Sequence, residues 1–401
     1  MNCSVLKEKL ENKIIKTPCY VADIVSLDSH IDRMLEITGD SVELVYAMKA
    51  NPFLTGHMDK RVHRIEVCSP GELEICKAYS IPGKDIIFSG VNKTAENIAD
   101  AMEYGVDVIT LESVKHFHLV KDYCRKNDAG VRVLIRLSSG AQFGMSESEL
   151  KEIVKNRAQY PELDIIGIHY FTGTQKKQIS KDIEEIDLID DLIKTLKSEF
   201  DYECKLFEYG PGLAVPYFDG EDFEGRYNSL CELTAYIREK NPSYRVAFEL
   251  GRFFVAESMQ YLTTVEDIKR TSDINICLVD GGIHHLNYYG QNMAMRVPRI
   301  DIINKADESL GQIGEVDSDD DNWKICGSLC TFADTLVRKV NLGKLSLGDV
   351  LVFNDAGAYS ITEAPVLFLS RRMPNIYVCQ DADCIVALRQ DKEAFEINMQ
   401  D

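Results

Sequence analysis

Residues 42–51 read Val-Glu-Leu-Val-Tyr-Ala-Met-Lys-Ala-Asn, an apolar run that carries one lysine, Lys49, near its end. The run predicts a β-strand, and the following Asn-Pro pair ends it. An ammonium group in apolar surroundings is costly unless it is paired or loses its proton. A lysine with a lowered pKa is an amine nucleophile that can form a Schiff base with an aldehyde. Lys49 is therefore a candidate nucleophile; the alternative is a lysine that extends into solvent at the end of a strand.

Seven more short apolar runs follow this strand, and amphipathic segments separate them. The eight predicted strands cover residues 42–48, 64–68, 85–89, 106–111, 131–137, 164–171, 205–209 and 245–249. The predicted helices cover residues 26–38, 70–79, 95–104, 113–126, 146–156, 178–200 and 222–240. Strands that alternate with helices form right-handed βαβ units and a parallel sheet. Eight such units in about 210 residues predict an α/β fold with a TIM (β/α)8 barrel rather than an open sheet.

Residues 256–401 have a different sequence pattern, with short apolar runs separated by turn residues and few long amphipathic segments. Runs of strand character cover residues 261–268, 274–279, 349–352, 376–378 and 384–388. We therefore predict two domains. A barrel occupies residues 27–255, and a β-rich domain of β-sandwich or β-barrel type occupies residues 256–401 together with residues 1–26.

The composition is that of a globular protein: of 401 residues, 45% are hydrophobic and 27% are charged. The net charge of −20 argues against binding of nucleic acid or anionic membranes. The one dense acidic run, residues 315–321, predicts a solvated loop. We see no signal-peptide core and no apolar run of membrane-spanning length, and expect a cytoplasmic protein. The twelve cysteines include no Cys-x-x-Cys pair; we predict reduced thiols and no metal site.

The carboxyl ends of the predicted strands carry polar, aromatic and glycine residues, and chemistry in this type of barrel occurs at those ends. The candidate site residues there are Lys49, Glu66, Arg136, His169, Phe171, Thr174, Gly210, Gly212, Glu249, Gly251 and Arg252. Glycines let the backbone approach an anion closely, and arginine adds a planar charged fork. The last three loops therefore predict a phosphate site beside an amine nucleophile and a buried carboxylate. Ordinary βα turns with a surface ion pair at Arg252 are the alternative.

These three groups match the requirements of pyridoxal 5′-phosphate. Its aldehyde binds a lysine, and its phosphate needs an anion site. A carboxylate that keeps its pyridine nitrogen protonated makes the ring an electron sink. Lys49, the glycine loops with Arg252, and Glu249 are the candidates for these three roles.

Four motifs carry a family resemblance: Tyr-Ala-Met-Lys-Ala-Asn at 46–51, Phe-Glu-Leu-Gly-Arg-Phe-Phe at 248–254, Cys-Gly-Ser-Leu-Cys at 326–330 and Asp-Ala-Gly-Ala-Tyr at 355–359. They resemble segments of the fold-type III (alanine-racemase-like) pyridoxal-phosphate decarboxylases, the group of diaminopimelate, ornithine and biosynthetic arginine decarboxylases. The resemblance implies that Lys49 binds the cofactor, Glu249 partners its pyridine nitrogen, and Arg252 and Tyr359 contact its phosphate. It also implies a homodimer with shared active sites, in which Cys330 reaches the neighbouring subunit's site.

Two departures from the family pattern bear on the substrate. Phe171 stands where the family usually stacks a histidine on the cofactor ring. Thr331 stands after the cysteine, where enzymes that act on diamines commonly have an acidic residue. A neutral side chain cannot pair with a distal ammonium, which argues against ornithine, arginine and diaminopimelate. We predict Thr331, Asp334 and Arg296 as substrate-contacting residues.

Residues 173–175 and 280–285 are similar to a subgroup in specialised metabolism, the type of the butirosin-pathway decarboxylase. That type acts on a glutamyl group carried on an acyl-carrier protein. The alternative for His284 and His285, which lie in the second of these segments, is a packed pair between the two domains.

The sequence thus predicts a decarboxylase of an amino acid or amino-acid conjugate, free or presented on an acyl-carrier protein, of L or D configuration. Lys49 would hold pyridoxal phosphate, Glu249 would keep its ring protonated, and Cys330 of the partner subunit would return a proton to the α-carbon. Two alternatives are open. A racemase on the same barrel would need a tyrosine base opposite Lys49, and noncatalytic carriers of the cofactor lack a second β-domain.

Overall fold

The computed structural model describes residues 1–271, 274–304, 321–381 and 384–400. The strands are β1 (Cys19–Asp23), β2 (Glu43–Ala47), β3 (Arg64–Val67), β4 (Ile86–Phe88), β5 (Val108–Leu111), β6 (Val131–Arg136), β7 (Leu163–Phe171), β8 (Leu206–Gly210), β9 (Arg245–Leu250), β10 (Met259–Thr271), β11 (Ile274–Val279), β12 (Ile300–Ile303), β13 (Asn322–Cys326), β14 (Thr335–Asn341), β15 (Val350–Phe353), β16 (Asn375–Cys379) and β17 (Ile385–Arg389). The α-helices are α1 (Cys3–Glu11), α2 (Ile24–Thr38), α3 (Pro70–Ala78), α4 (Ala95–Tyr104), α5 (Val114–Asn127), α6 (Glu147–Lys155), α7 (Ile179–Phe200), α8 (Asn228–Lys240), α9 (Arg252–Val255) and α10 (Phe395–Asn398).

The chain divides into two compact units. The barrel unit contains residues 31–215 and 224–253, and the β-rich unit contains residues 1–30, 216–223 and 254–401. The predicted boundary between residues 255 and 256 stays a prediction, as does the sandwich-like form of the second domain. Of the predicted acidic loop at 315–321, only Asp321 lies within the described residues. In the described part of the chain, no helix is both long and apolar enough to cross a membrane.

The barrel unit is a closed barrel of the eight strands β2 to β9, all paired in parallel. Pairing of the last strand with the first closes it, with Glu43 opposite Ala247. Branched side chains dominate a cluster at its centre: Val45, Ile87, Val108, Leu134, Ile166, Leu206 and Ala247. All eight predicted strands are confirmed, and with them the TIM barrel.

Polar side chains cap four helices of the barrel unit at their N-termini. Ser69, Thr94, Ser113 and Ser146 each accept a hydrogen bond from a backbone N–H in the first turn of the helix that follows. Such caps satisfy donors that the helix itself leaves open and stabilise its start by about 1 kcal/mol each. Because all eight strands of the closed barrel are parallel, their carboxyl ends and the loops that follow them meet on one face of the barrel.

The β-rich unit contains one hydrogen-bonded network of nine described strands. Its main path runs β14-β13-β11-β10-β1-β16-β17, and β15 joins β10 to β12. Strand β1 lies between β10 and β16, so this part of the N-terminal segment belongs to the sheet. Helix α1 packs on it through Leu6 and Leu10, in a core that includes Leu262, Val352 and Tyr377. The β-rich character of the second domain is therefore confirmed.

Candidate active site

Lys49 lies in a single 3-10 turn, Met48–Ala50, that directly follows β2. Its Nζ donates hydrogen bonds to Glu66 Oε2 at 2.8 Å and to Glu249 Oε1 at 2.9 Å, and it lies 3.6 Å from the sulfur of Cys68. The lysine side chain is 37% exposed, whereas both carboxylates are buried. The structure therefore brings three predicted site residues into direct contact, and Lys49 is paired rather than left in apolar surroundings.

The two carboxylates beside Lys49 have different electrostatic environments. Glu249 also accepts a hydrogen bond at Oε2 from His169 Nε2, at 2.8 Å. Burial alone would raise the pKa of Glu249, but the charge of Lys49 and the bond from His169 hold it well below its usual range. Burial raises the pKa of Glu66, and the negative charge of Glu249 raises it further. Glu249 is thus the carboxylate that keeps its charge.

Glu208, on β8, is a third carboxyl group near this cluster and was not among the predicted site residues. It is fully buried, and neither of its oxygens has a hydrogen-bond partner among the described residues. Burial, followed by the charges of Glu249 and Glu66, raises its pKa well above the ordinary value. A glutamate inside an apolar strand run, two residues before a glycine loop, is the signal that could have indicated it.

Glu208 also belongs to the one metal-like set found in the described part of the chain. A nitrogen of His169 and oxygens of Glu208 and Glu249 lie within 4.8 Å of one another. Imidazole and carboxylate are ligands of transition metals. Here, however, both oxygens of Glu249 already accept hydrogen bonds from Lys49 and His169. The set therefore fits a hydrogen-bonded cluster better than a metal site.

Arg136 ends β6 and is held in place by a buried ion pair. Its Nη1 donates to Glu112 Oε1 at 2.6 Å, and its guanidinium lies 4.9 Å from the centre of the Phe143 ring and 5.9 Å from that of Phe171. The other oxygen of Glu112 accepts from the backbone N–H of Gly144 at 3.2 Å. Arg136 and Phe171 therefore lie side by side, and Glu112 and Phe143 support the arginine without having been predicted.

The loops after β7 and β8 approach so closely that glycine is required. Gly212 has φ +59°, and a Cβ atom there would overlap the carbonyl group of Gly173 and lie 3.0 Å from the Cα of Thr174. A Cβ at Gly210 would overlap the ring of Phe171. The third loop is Gly251 with Arg252, which begins the short helix α9 and is 7% exposed. Backbone N–H groups in such glycine loops, together with a buried arginine, are suited to an anion.

The comparison with known proteins decides the family. Residues 24–256, more than half of the chain, match the family model described as pyridoxal-dependent decarboxylase, pyridoxal binding domain. The chain belongs to this family. It is a pyridoxal-phosphate-dependent decarboxylase with the fold-type III architecture.

Relatives with established activities match over most of this decarboxylase. It is 27% identical to the L-glutamyl-[BtrI acyl-carrier protein] decarboxylase of Niallia circulans, covering 90% of this chain and 88% of the relative. It is 26% identical to the 2-[(L-alanin-3-ylcarbamoyl)methyl]-2-hydroxybutanedioate decarboxylase of Staphylococcus aureus, covering 90% and 94%. Its fold is similar to the crystal structure of diaminopimelate decarboxylase from Methanocaldococcus jannaschii, with a TM-score of 0.83, 24% identity, and coverage of 96% and 92%.

The residues of the barrel unit fit pyridoxal phosphate. The cofactor requires an amine for its aldehyde, a carboxylate that stays charged for its ring nitrogen, and an anion site for its phosphate. The decarboxylase has the Nζ of Lys49 within 2.9 Å of a carboxylate, Glu249, whose pKa is lowered. It also has glycine loops with a buried arginine, Arg252. The family match leaves both residues available for these roles. Because the matched family consists of decarboxylases, it argues against the two alternatives, a racemase and a noncatalytic carrier.

The remaining predicted site residues of the decarboxylase lie in its β-rich unit. Cys330 and Thr331 are exposed. Asp334 is buried, and its two oxygens accept from the backbone N–H groups of Ile283 and Leu329 at 2.8 and 2.7 Å. The carboxylate of Asp334 thus holds the loop that carries the cysteine.

Arg296 contacts residues of its own unit, and Tyr359 has a left-handed backbone conformation. Arg296 donates to Glu221 at 2.8 Å and lies 4.0 Å from the centre of the Phe218 ring. Tyr359 is partly buried and has φ +62°. His284 and His285 are buried, with ring centres 3.8 Å apart.

Proposed function

We propose that this decarboxylase acts on an α-amino carboxylate that is attached to a larger group, with Lys49 as the residue that binds pyridoxal phosphate. The observation that carries the assignment is the position of the Lys49 Nζ, between Glu66 at 2.8 Å and Glu249 at 2.9 Å. When bound, the cofactor supplies an electron sink for the negative charge that develops at the α-carbon as CO2 leaves.

The residues of the barrel unit divide into two groups around the proposed cofactor. Glu249 holds the ring nitrogen, since it keeps its negative charge. Around the ring we place Glu66, Arg136, His169 and Phe171, and around the phosphate Thr174, Gly210, Gly212, Gly251 and Arg252; Tyr359, a residue of the β-rich unit, stays a predicted phosphate contact. Support for the phosphate group comes from the close backbone approach at Gly212 and the burial of Arg252.

We assign Cys330, from a second copy of the chain, the role of proton donor. Its thiol is exposed, and the motif at 326–330 resembles the one that reaches the neighbouring active site in this family. The Cys330 S–H bond would break as a C–H bond forms at the α-carbon, which leaves a thiolate. The proposed assembly is therefore a homodimer whose two sites each contain residues from both chains.

The substrate class follows from Thr331 and from the relatives. A neutral side chain next to Cys330 offers no carboxylate to a distal ammonium, so a free diamino acid is disfavoured. The printed names of two relatives describe substrates in which the amino acid is joined to another group, an acyl-carrier protein in one and a hydroxybutanedioate in the other. An amino acid conjugate, presented on a carrier protein or on a small acid, is the class we propose.

The decisive experiment measures CO2 release. The cofactor-loaded protein is incubated with free amino acids, carrier-bound aminoacyl groups and amino-acid conjugates of hydroxy acids, and Lys49→Ala is the control. We expect release from a conjugate and none from ornithine, arginine or diaminopimelate. Efficient turnover of a free diamino acid would overturn the substrate class. Borohydride reduction and peptide mapping test the lysine separately, and a pyridoxyl group on Lys93 instead of Lys49 would overturn that assignment.

The shared site has its own test. Lys49→Ala and Cys330→Ala should each be inactive, and subunit exchange between them should restore activity, because a heterodimer places both lesions in one site and leaves the other intact. Random exchange gives about a quarter of wild-type sites. If exchange is demonstrated by mass spectrometry and activity stays at the level of the parents, Cys330 does not act across a dimer.

A further inference from the structure

Two buried polar groups of the barrel unit have no assigned role and no hydrogen-bond partner among the described residues. They are the carboxyl group of Glu208, on β8, and Nδ1 of His169, on β7. Both side chains are almost completely buried, at 0% and 2% exposure. Buried polar atoms in folded proteins are nearly always hydrogen-bonded, because an unpaired one costs about 1–3 kcal/mol. Because the two groups are neighbours, each can be the hydrogen-bond partner that the other lacks.

The strand register places the two residues next to each other, because His169 on β7 is opposite Glu208 on the neighbouring strand β8. A nitrogen of His169, an oxygen of Glu208 and an oxygen of Glu249 lie within 4.8 Å of one another. The other side of the imidazole is already used, because Nε2 is 2.8 Å from Glu249 Oε2. Glu249 is therefore bonded to His169 on one oxygen and to Lys49 on the other.

The charges around Glu208 determine which of the two groups can donate. The titratable groups that act on it, besides the neighbouring His169, are Glu249, Glu66, Arg64 and Lys49. Complete burial and the two carboxylates outweigh the two cations, so the pKa of Glu208 is raised well above its ordinary value. A carboxylic acid that keeps its proton has one O–H donor, and a neutral imidazole has one acceptor nitrogen.

We propose that Glu208 is a positioning residue: it stays protonated and donates its O–H to Nδ1 of His169, which fixes the tautomer that donates from Nε2 to Glu249. In a histidine the partner of one ring nitrogen determines what the other can do. With Nδ1 occupied as an acceptor, Nε2 must carry the proton. Glu249 then receives donors on both oxygens, from His169 and Lys49, and stays a carboxylate. The consequence for the cofactor rests on the proposed role of Glu249, whereas the tautomer itself does not.

Nitrogen NMR of the histidine rings tests the tautomer in the full-length, cofactor-free chain. The chain has eight histidines, and His169→Gln assigns the signal. We expect one neutral ring protonated at Nε2, with Nδ1 accepting a hydrogen bond. Glu208→Gln should preserve this spectrum, because its amide can still donate, and Glu208→Leu should lose it. Protonation of both ring nitrogens in the wild-type chain, or an unchanged spectrum in Glu208→Leu, would overturn the proposal.

The pH dependence of unfolding gives a second test that does not depend on the leucine variant folding. An acid whose folded pKa is raised binds its proton more tightly folded than unfolded, so between the two pKa values each pH unit costs tenfold in the folding equilibrium. Glu208→Gln removes this cost. The ratio of its folding equilibrium constant to that of wild type should therefore rise tenfold per pH unit upwards from about pH 5.

The matched control is Asp190→Asn, another buried carboxyl group of the barrel unit. Burial works against the ionised form of Asp190, but bonds from Lys194 and Lys240 lower its pKa. The difference in unfolding free energy between Asp190→Asn and wild type should therefore be constant over the same pH range. A constant difference for Glu208→Gln would overturn the proposal. Both tests use the cofactor-free chain, so a failure of the proposed cofactor lysine or substrate would leave their outcome unchanged.

Discussion

The substitution Gly212→Ala tests whether the close approach of the loops after β7 and β8 forms the cofactor's phosphate site. At φ +59°, an alanine pays the cost of left-handed backbone, about 1–2 kcal/mol. Its Cβ would also overlap the carbonyl group of Gly173 and crowd the Cα of Thr174 at 3.0 Å. Because these are backbone atoms, the loop must move, and overpacking of this kind costs about 1–3 kcal/mol. The two terms give a loss of roughly 2–5 kcal/mol in unfolding free energy.

The matched control is Gly39→Ala. Gly39 follows α2 with φ +50°, and a Cβ there would have no heavy atom of the described residues within 4 Å. Gly39→Ala should therefore lose only about 1–2 kcal/mol of unfolding free energy, which comes from its left-handed backbone. If the loop moves to relieve the overlap at Gly212, we expect the free energy of cofactor binding to weaken by about 1–3 kcal/mol. This corresponds to an increase in Kd of roughly 5- to 150-fold.

The assay compares thermal unfolding of both cofactor-free variants by circular dichroism and their titration with pyridoxal phosphate. We expect Gly212→Ala to unfold at a lower temperature than Gly39→Ala and to bind the cofactor more weakly, while Gly39→Ala binds it as wild type does. Equal unfolding temperatures, with a wild-type Kd for Gly212→Ala, would refute the reasoning about this loop.

Four more changes address the site and the β-rich unit. Glu249→Gln should keep the cofactor but lower turnover by roughly 10²–10³-fold, the usual loss when one electrostatic stabiliser is removed; near-normal turnover would exclude Glu249 as partner of the ring. Arg252→Ala should weaken cofactor binding by about 1.5–3 kcal/mol through loss of a charge-assisted bond to phosphate, and an unchanged Kd in a spectroscopic titration would contradict that role. Thr331→Asp should shift CO2 release towards substrates with a distal ammonium; an unchanged preference would place Thr331 outside the substrate pocket. Burial lowers the pKa of His285 to about 3, so the stability that depends on the neutral ring is complete above about pH 6.5 and declines below it, by up to about 1.4 kcal/mol per pH unit. His285→Gln should therefore show a smaller decline in thermal stability between about pH 6.5 and 4, and equal slopes would argue against a buried neutral ring.

The barrel could be predicted because its signals are local. Each strand is a short apolar run, and each helix is an amphipathic segment that a capping residue such as Ser69 or Thr94 begins. The grouping of Lys49, Glu66 and Glu249 followed from a general property of such barrels, that the carboxyl ends of all strands meet on one face.

Features that depend on register or long-range pairing could not be predicted in the same way. Every residue of β8 is buried, so the hydrophobic pattern did not indicate that Glu208 lies beside Glu249. Strands β12, β13 and β14 were not predicted, because short or polar strands such as Asn322–Cys326 form through partners far away in the sequence. The contact of His169 with Glu249 joins residues 80 positions apart and depends on the stagger of the barrel strands.

The place of β1 in its sheet has a consequence for how the chain folds during synthesis. Cys19 pairs with Leu262 on one side and with Asn375 on the other. At about 5–20 residues per second, synthesis from position 19 to position 375 takes roughly 20–70 s. Throughout that time the edge of β1 that pairs with β16 lacks its partner, and the other edge lacks its partner until Leu262 in β10 is made. Each barrel strand, by contrast, meets a neighbour made shortly before it. The barrel can therefore fold while the chain is still growing, and the β-rich unit must wait for the last strands to be made.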